Sequence, residues 1–244
     1  MKVRSLLLAV LALLLLWALV ARLVNQALLP DPWTVAQALV SETLNGGLPL
    51  HFLASLWRVV AGTLLSVLLA APAGLAFGQY RRINAFFSPI IYILYPIPKV
   101  VFVPIVILFL GIGDLAKIVI IFLILFFQVL VLVRDQAASL RPELIQSVRS
   151  LGAGRRALFW FVYIPASLSG VFTALRQSIG TAVAVLYITE LFATQQGLGY
   201  YIYLNGSTLL NYPAMYAGVV AMSLLGLGLY FSVDLLERWL VPNK

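Results

Sequence analysis

The sequence predicts an all-α membrane protein that crosses the bilayer six times, and three observations support this class. First, 63% of the 244 residues are hydrophobic and only 10% are charged, whereas soluble domains carry about a quarter charged residues. Second, the hydrophobic residues form runs of roughly 20, the length that spans a bilayer. Third, the basic residues fall mostly in short loops between these runs, as topology signals do. A water-soluble core of this length cannot hide so much apolar surface.

The apolar runs place the six transmembrane helices in one domain that covers residues 1–244. The predicted spans are about 5–24, 53–78, 86–110, 115–133, 163–191 and 213–236. The first run is interpreted as an uncleaved helix rather than a secretion signal, because it is long, leucine-rich and has only a weak cleavage site. Residues 33–44 carry apolar positions at helical spacing, which predicts either a helix along the outer membrane surface or an ordinary connector.

The second predicted span contains Gly74 and Gly78, four residues apart. Small residues at this spacing let two helix backbones approach closely within a membrane. We therefore expect this face of the span to pack closely against another helix.

The distribution of basic residues predicts that both termini face the cytoplasm. With the N-terminus inside, the inner segments hold eleven of the 16 basic residues, namely Lys2, Arg4, Arg81, Arg82, Arg134, Arg141, Arg149, Arg155, Arg156, Arg238 and Lys244. This bias agrees with the positive-inside rule. The same orientation places the long segment 134–162 in the cytoplasm.

The composition argues against several classes of site. The chain has no cysteine and a single histidine, His51, which excludes thiolate metal sites and a histidine-based metal centre. The net charge of +8 follows from the loop signals and does not indicate a nucleic-acid partner. No G-x-x-x-x-G-K-[ST] phosphate loop is found. We expect no catalytic, metal-binding or cofactor-binding residue in this chain.

Prolines and charges inside the predicted spans mark candidates for a solute pathway. Pro96 and Pro98 free backbone carbonyls in the third span, and such groups are tolerated in a membrane only against protein or a watery cavity. Lys99 and Arg176 are expected near the bilayer middle and Glu190 nearer the outer face. These five residues are interpreted as lining a pathway for an anionic or polar solute. The alternative is a kinked structural helix, with the charges paired to Glu190, to carbonyls or to a second subunit.

The segment 134–162 predicts a short amphipathic helix between the fourth and fifth spans. Pro142 suits the first turn of a helix and Glu143 suits the positive end of its dipole. The chain then turns at Gly152 and Gly154. A narrow apolar stripe is formed by Leu140, Leu144, Val148 and Leu151. Such a helix either docks into a groove of a partner protein or packs on its own bundle or on lipid headgroups.

The spacing in this segment resembles the cytoplasmic docking loop of ABC-importer permeases, written as glutamate-alanine-alanine, three residues, glycine, nine residues and I-x-L-P. Here Gly152 is followed by nine residues, Val162, one residue and Ile164-Pro165. The family resembled is the nitrate, sulfonate and taurine type. Its signatures are similar to Pro96-Ile97-Pro98-Lys99, Pro104, Gly111-Ile112-Gly113, Thr173–Arg176, Glu190 and Gly197–Tyr200. One departure is Gln146-Ser147-Val148 at the glutamate-alanine-alanine position, which removes one expected polar contact to the ATPase.

The resemblance implies a type I (MetI-like) importer permease in a bacterial or archaeal inner membrane, with its core at residues 53–236. The implied partners are a second permease copy, two ABC ATPases that bind ATP and Mg²⁺, an external solute-binding protein and the lipid bilayer. The implied cargo is a small anionic or polar solute or a vitamin precursor. The implied docking residues are Glu143, Gln146, Ser147, Val148, Gly152, Ala153, Arg155, Arg156 and Pro165. The alternative function is an ATP-independent secondary transporter or channel, which needs no such loop.

Overall fold

Every regular element in the part of the chain that the structure describes is a helix. The computed structural model describes residues 3–192 and 194–241. Its α-helices are α1 (Val3–Val24), α2 (Pro32–Leu44), α3 (Leu48–Gln79), α4 (Arg81–Leu94), α5 (Val103–Leu110), α6 (Asp114–Ala138), α7 (Pro142–Ser150), α8 (Arg155–Leu158), α9 (Ile164–Leu191), α10 (Leu198–Tyr203) and α11 (Tyr212–Leu240). A short 3-10 segment, Lys99–Phe102, precedes α5, and π-helical turns at Phe159–Tyr163 and Leu204–Thr208 follow α8 and α10.

Five helical segments of the described residues are long and apolar enough to cross a bilayer. They are Leu7–Val24 of α1, the helices α3, α6 and α11, and the continuous segment Arg156–Leu191, which ends with α9. These helices confirm five of the six predicted spans, although α3 begins at Leu48 and α6 continues to Ala138. The chain divides into two compact units, Met1–Ser55 with Glu190–Leu225 and Leu56–Thr189 with Gly226–Lys244.

The third predicted span, residues 86–110, is wrong as one continuous helix. The α4 helix ends at Leu94, and helical structure resumes only at Lys99. The two pieces, Arg81–Leu94 and Lys99–Leu110, differ in direction by 75°. Pro96 and Pro98 cause this break, because neither has an N–H to donate and each disfavours helical geometry in the residue before it. Taken together, the two pieces have the length and composition of a sixth crossing.

Close packing of α3 on α6 confirms the prediction from the spacing of Gly74 and Gly78. A Cβ added at Gly74 would lie 2.8 Å from the carbonyl oxygen of Leu130 and 3.0 Å from the backbone nitrogen of Arg134. A Cβ at Gly78 would lie 2.9 Å from the Arg134 carbonyl oxygen. Only glycine permits this backbone contact, because the obstructing atoms belong to a helix backbone that cannot move aside.

The segment 33–44 is helical, as its apolar spacing predicts. Asp31 caps the first turn of α2, because its side chain accepts hydrogen bonds from the backbone N–H groups of Trp33 and Thr34 at 2.9 and 3.1 Å. Pro32 occupies the first position, where the missing N–H costs nothing. Local sequence therefore determines where α2 begins.

Candidate functional site

The segment between α6 and α9 contains the short helix that the sequence predicts. Pro142 begins α7, Glu143 lies in its first turn and Arg149 in its last, and both charges complement the helix dipole. The helix ends at a turn in which the Gly152 N–H donates to the Arg149 carbonyl at 2.9 Å. Gly152 has a φ of +84°, a conformation that favours glycine. Because α6 extends to Ala138, the loop itself begins at Ser139 rather than at residue 134.

The apolar stripe of α7 is divided between two surfaces. Leu140 and Val148 of the predicted stripe, with the neighbouring Ile145, pack against a core formed mainly by α3, α6 and the start of the Arg156–Leu191 segment. For these residues the structure shows the second expected arrangement, packing on the protein's own bundle. Leu151 instead keeps 84% of its surface exposed. The side chains of Leu144 and Arg155 lie outside the described residues.

The exposed surface of α7 and of the turn that follows it is mainly polar. Its exposed members include Glu143, Gln146, Ser147, Arg149, Ser150, Gly152 and Arg156, together with Leu151. Ala153 is half-buried, and Pro165 is exposed further along the chain. Any partner of this loop therefore meets polar groups and one prominent leucine rather than a continuous apolar stripe.

At the break in the third span, the Lys99 side chain turns back over the end of α4. Its Nζ lies 2.9 Å from the carbonyl oxygens of Leu94 and Tyr95 and 3.2 Å from that of Ile97. It also lies 4.8 Å from the centroid of the Phe127 ring, a favourable cation–π distance. Three hydrogen bonds use all the protons of an ammonium group. Lys99 thus donates hydrogen bonds to backbone carbonyls that lose their helical partners at the break.

A cavity of about 470 Å³ lies beside this break. Pro96, Pro98 and Lys99 line one side of it, and residues of α6 and α9 line the other. Among the lining residues Lys99 has the only charged side chain. The predicted pathway residues Pro96, Pro98 and Lys99 therefore meet at one cavity, whereas Arg176 and Glu190 are not among its lining residues.

Arg176 forms ion pairs with acidic side chains of α11. Its Nη1 lies 2.6 Å from Glu237 Oε2 and 3.2 Å from Asp234 Oδ1, and Arg238 Nη2 contacts the other oxygen of Asp234 at 2.8 Å. These two cations and two anions give the group no net charge. The contacts correspond to charge pairing, the alternative expected for Arg176, although the partners are Asp234 and Glu237 rather than Glu190.

Replacing Arg176 with glutamine is expected to lower the free energy of unfolding by about 3 kcal/mol, because it removes a cation from the buried Glu237 carboxylate. Thermal unfolding of the detergent-solubilised protein measures this loss. Arg176→Lys, which keeps the charge, should lose less. Unchanged thermal stability in Arg176→Gln would contradict a structural role for this ion pair.

Glu190 joins the end of α9 to the start of α3 and to α10. Its carboxylate is fully buried and accepts hydrogen bonds from the Ser55 hydroxyl, at 2.9 and 2.8 Å to its two oxygens, and from the Gly199 N–H at 2.9 Å. The Ser55 oxygen in turn accepts from the Leu198 N–H at 2.8 Å. His51 Nδ1 accepts from the Gly197 N–H at 3.1 Å. These three side chains hold the first turn of α10.

Aromatic rings lie beside His51 of this cluster. The Tyr201 ring lies 5.3 Å from the His51 ring, measured between centroids. Burial, with the Glu42 carboxylate nearby, raises the pKa of the Tyr201 phenol, so this phenol stays uncharged at neutral pH. No sequence pattern links Ser55 to Glu190 or His51 to Gly197, because the two members of each pair lie more than 130 residues apart in the chain.

Substitution of Ser55 by alanine is expected to reduce stability by about 1–3 kcal/mol, since it removes one hydrogen bond to the buried Glu190 carboxylate, which keeps the Gly199 N–H, and takes away the acceptor of the Leu198 N–H. The apparent melting temperature of the purified protein would report the loss. Ser223→Ala is a matched control, because its exposed hydroxyl donates only within its own helix, to Val219. Equal melting temperatures for the two variants would argue against this cluster.

The architecture is that of a polytopic membrane protein. The described residues form several helices of membrane-spanning length, one broken span with a cavity beside the break, and a short polar-faced helix between two spans. The inward-facing MetNI methionine ABC transporter has a chain of the same fold. That chain superposes with a TM-score of 0.68 at 21% identity, covering 81% of this chain and 98% of its own length.

Sequence comparison then gives the family. Residues 62–244 match the family described as the binding-protein-dependent transport system inner membrane component. The taurine transport system permease protein TauC of Escherichia coli is 30% identical over 94% of this chain and 86% of its own length. The formylaminopyrimidine transport permease protein ThiX of Halalkalibacterium halodurans is 27% identical over 95% of this chain and 92% of its own length. The chain belongs to this family and is a transmembrane permease subunit of an ATP-binding-cassette importer in the inner membrane.

Proposed function

We propose that two copies of this chain form the solute pathway of an importer that is powered by two separate ATPase subunits. An external solute-binding protein delivers the cargo. Family membership supports this assembly, and the sequence contains no phosphate-binding loop of its own. ATP and Mg²⁺ therefore bind to the partner ATPases, and this chain carries out transport without catalysing a reaction itself.

The helix α7 and its glycine turn are the proposed contact with the ATPase. The observation that supports this role most directly is an exposed, polar face on a helix whose other face is anchored in the bundle through Ile145 and Val148. Because such a helix is fixed to the bundle, it transmits motion of the ATPase to the transmembrane spans. The proposed contacts are Glu143, Gln146, Ser147, Gly152, Ala153, Arg155 and Arg156, with Val148 as an anchor and Pro165 at the start of the following span.

The proposed orientation places this contact, and both chain termini, in the cytoplasm. Eleven of the 16 basic residues belong to the segments that this orientation places inside, which agrees with the positive-inside rule. ATP is available on that side. Motion of the ATPase pair then switches the bundle between two states that open to opposite faces, as alternating access requires.

The proposed solute is small and anionic or polar. Lys99 supplies a positive charge to the cavity at the broken span, where no lining residue has an acidic side chain. Arg176 belongs to a group with Arg238, Asp234 and Glu237 that has no net charge, and its proposed role is structural. The names of the relatives mention taurine and formylaminopyrimidine, so sulfonates and vitamin precursors are the first solutes to test.

Purification of the tagged chain from its native membrane tests this proposal. We expect the chain to copurify with equal numbers of ATPase subunits, and we expect ATP hydrolysis by that complex to rise when a loaded solute-binding protein is added. Recovery of the chain without any ATPase, in a form that still transports solute, would support an independent secondary transporter or channel instead.

A further inference from the structure

Two polar side chains line the cavity at the broken span without forming a hydrogen bond to another described residue. Gln128 of α6 and Thr181 of α9 both line this cavity with Lys99, and both are half-buried. In the same helix as Thr181, the hydroxyls of Thr173 and Ser178 each donate to the carbonyl four residues earlier, at 2.9 and 2.8 Å.

The hydrogen bonds of Lys99 explain why an anion in this cavity needs other hydrogen-bond donors. Its Nζ donates to the carbonyls of Leu94, Tyr95 and Ile97, so its positive charge remains but its protons are used. An anion in the cavity is attracted by that charge and must obtain hydrogen-bond donors elsewhere. A glutamine amide supplies two donors and a threonine hydroxyl supplies one.

We propose that Gln128 and Thr181 donate hydrogen bonds to the anionic group of the transported solute, next to the charge of Lys99. The rest of the lining includes Ile124, Phe127 and Val185, which suits a solute with a small apolar body. This proposal rests on the proposed function, since it assigns the solute contacts within that pathway.

Cysteine labelling tests the proposal without knowledge of the natural cargo, because the chain contains no cysteine. Gln128→Cys and Thr181→Cys are made separately in the permease–ATPase complex. Each is treated with an anionic reagent, sulfonatoethyl methanethiosulfonate, or a cationic one, trimethylammonioethyl methanethiosulfonate. Ser207→Cys, at an exposed position, serves as the water-exposed control. Leu68→Cys, on α3 with 69% exposure, serves as the lipid-facing control.

Both cavity cysteines should react, and Leu68→Cys should not, because a thiol in hydrocarbon stays protonated. The ratio of anionic to cationic rates at positions 128 and 181 should exceed that at Ser207→Cys by about tenfold, given one uncompensated charge in a site of low dielectric constant. Adding Lys99→Gln should remove this excess, whereas Lys99→Arg should keep it. Equal ratios at all water-exposed positions, or no labelling in the cavity, would overturn the proposal.

Protection by methanesulfonate tests the hydrogen bonds themselves. Methanesulfonate should slow labelling of Thr181→Cys. Adding Gln128→Leu should raise the methanesulfonate concentration that gives half-maximal protection by at least about tenfold, the effect of losing one bond to a charged group. Gln128→Asn, which keeps the amide, should lose less. Absence of protection, or protection unaffected by Gln128→Leu, would refute the contact. Either failure in a complex that still copurifies with its ATPase would leave the proposed function intact.

Discussion

Gly152→Val is expected to reduce ATP-driven uptake by at least about tenfold while leaving the transmembrane bundle folded. Gly152 has a φ of +84°, and a β-branched residue in that conformation costs roughly 1–3 kcal/mol. The turn after α7 would then relax, and the exposed face that includes Gln146 and Ser147 would change direction relative to the bundle. Because a Cβ at Gly152 meets no atom within 4 Å, the effect comes from backbone conformation and not from a clash.

Gly154→Val is the matched control for this prediction. Gly154 lies in the same turn, a Cβ there also meets no atom within 4 Å, and its φ is outside the positive region. Copurification of the ATPase and solute uptake by the reconstituted complex should both fall in Gly152→Val and stay near the native level in Gly154→Val. Equal behaviour of the two variants would show that the conformation of this turn does not matter for coupling.

The second large effect is expected from Gly74→Val, which should prevent α3 from packing on α6. A Cβ at Gly74 would already lie 2.8 Å from the Leu130 carbonyl oxygen and 3.0 Å from the Arg134 nitrogen. Overpacking of this kind costs about 1–3 kcal/mol, and here the obstructing atoms are backbone. We expect a clear fall in thermal stability in detergent and reduced recovery of folded protein from the membrane.

Substitution of a glycine in a different transmembrane helix is the control, because it changes helix propensity without disturbing a close helix contact. Gly228 lies within α11, and a Cβ there meets no atom within 4 Å. Gly228→Val should therefore leave the melting temperature close to that of the native protein. If Gly74→Val were as stable as Gly228→Val, the close α3–α6 contact would be contradicted.

The candidate spans were predictable from sequence because a helix that crosses a bilayer needs about 20 mostly apolar residues, and such runs are visible in the sequence. The break in the third span was less predictable. Its prolines mark a disturbance, but whether a proline bends a helix or ends it depends on what satisfies the freed carbonyls. Here Lys99 does so by folding back onto Leu94, Tyr95 and Ile97, a contact with no signal in the hydrophobic pattern.

The roles of buried charges were the least predictable from sequence. Arg176 and Glu190 stand out in the sequence, because a charge in a membrane needs a partner. Their partners come from distant parts of the chain, however, with Asp234 and Glu237 on α11 and Ser55 on α3. Only the packing of helices brings these residues together, and hydropathy contains no information about which helices are neighbours.

In the segment between α6 and α9, too, local features were predictable from sequence and long-range contacts were not. Pro142, Glu143 and Gly152 act locally, so the bounds of α7 follow from sequence. The amphipathic pattern also identified an apolar stripe, but not the surface that it would contact. Leu140 and Val148 pack against the protein's own core, whereas Leu151 is exposed.

The central claim is that a separate ATPase moves this permease through α7 and its turn. Reconstitution into liposomes tests this claim most directly. The solute retained by the external binding protein is identified by mass spectrometry and then used for uptake. We expect uptake only when the permease, the ATPase, ATP on the α7 side and the loaded binding protein are all present. Uptake at the same rate by the permease alone, without ATPase or ATP, would contradict the account.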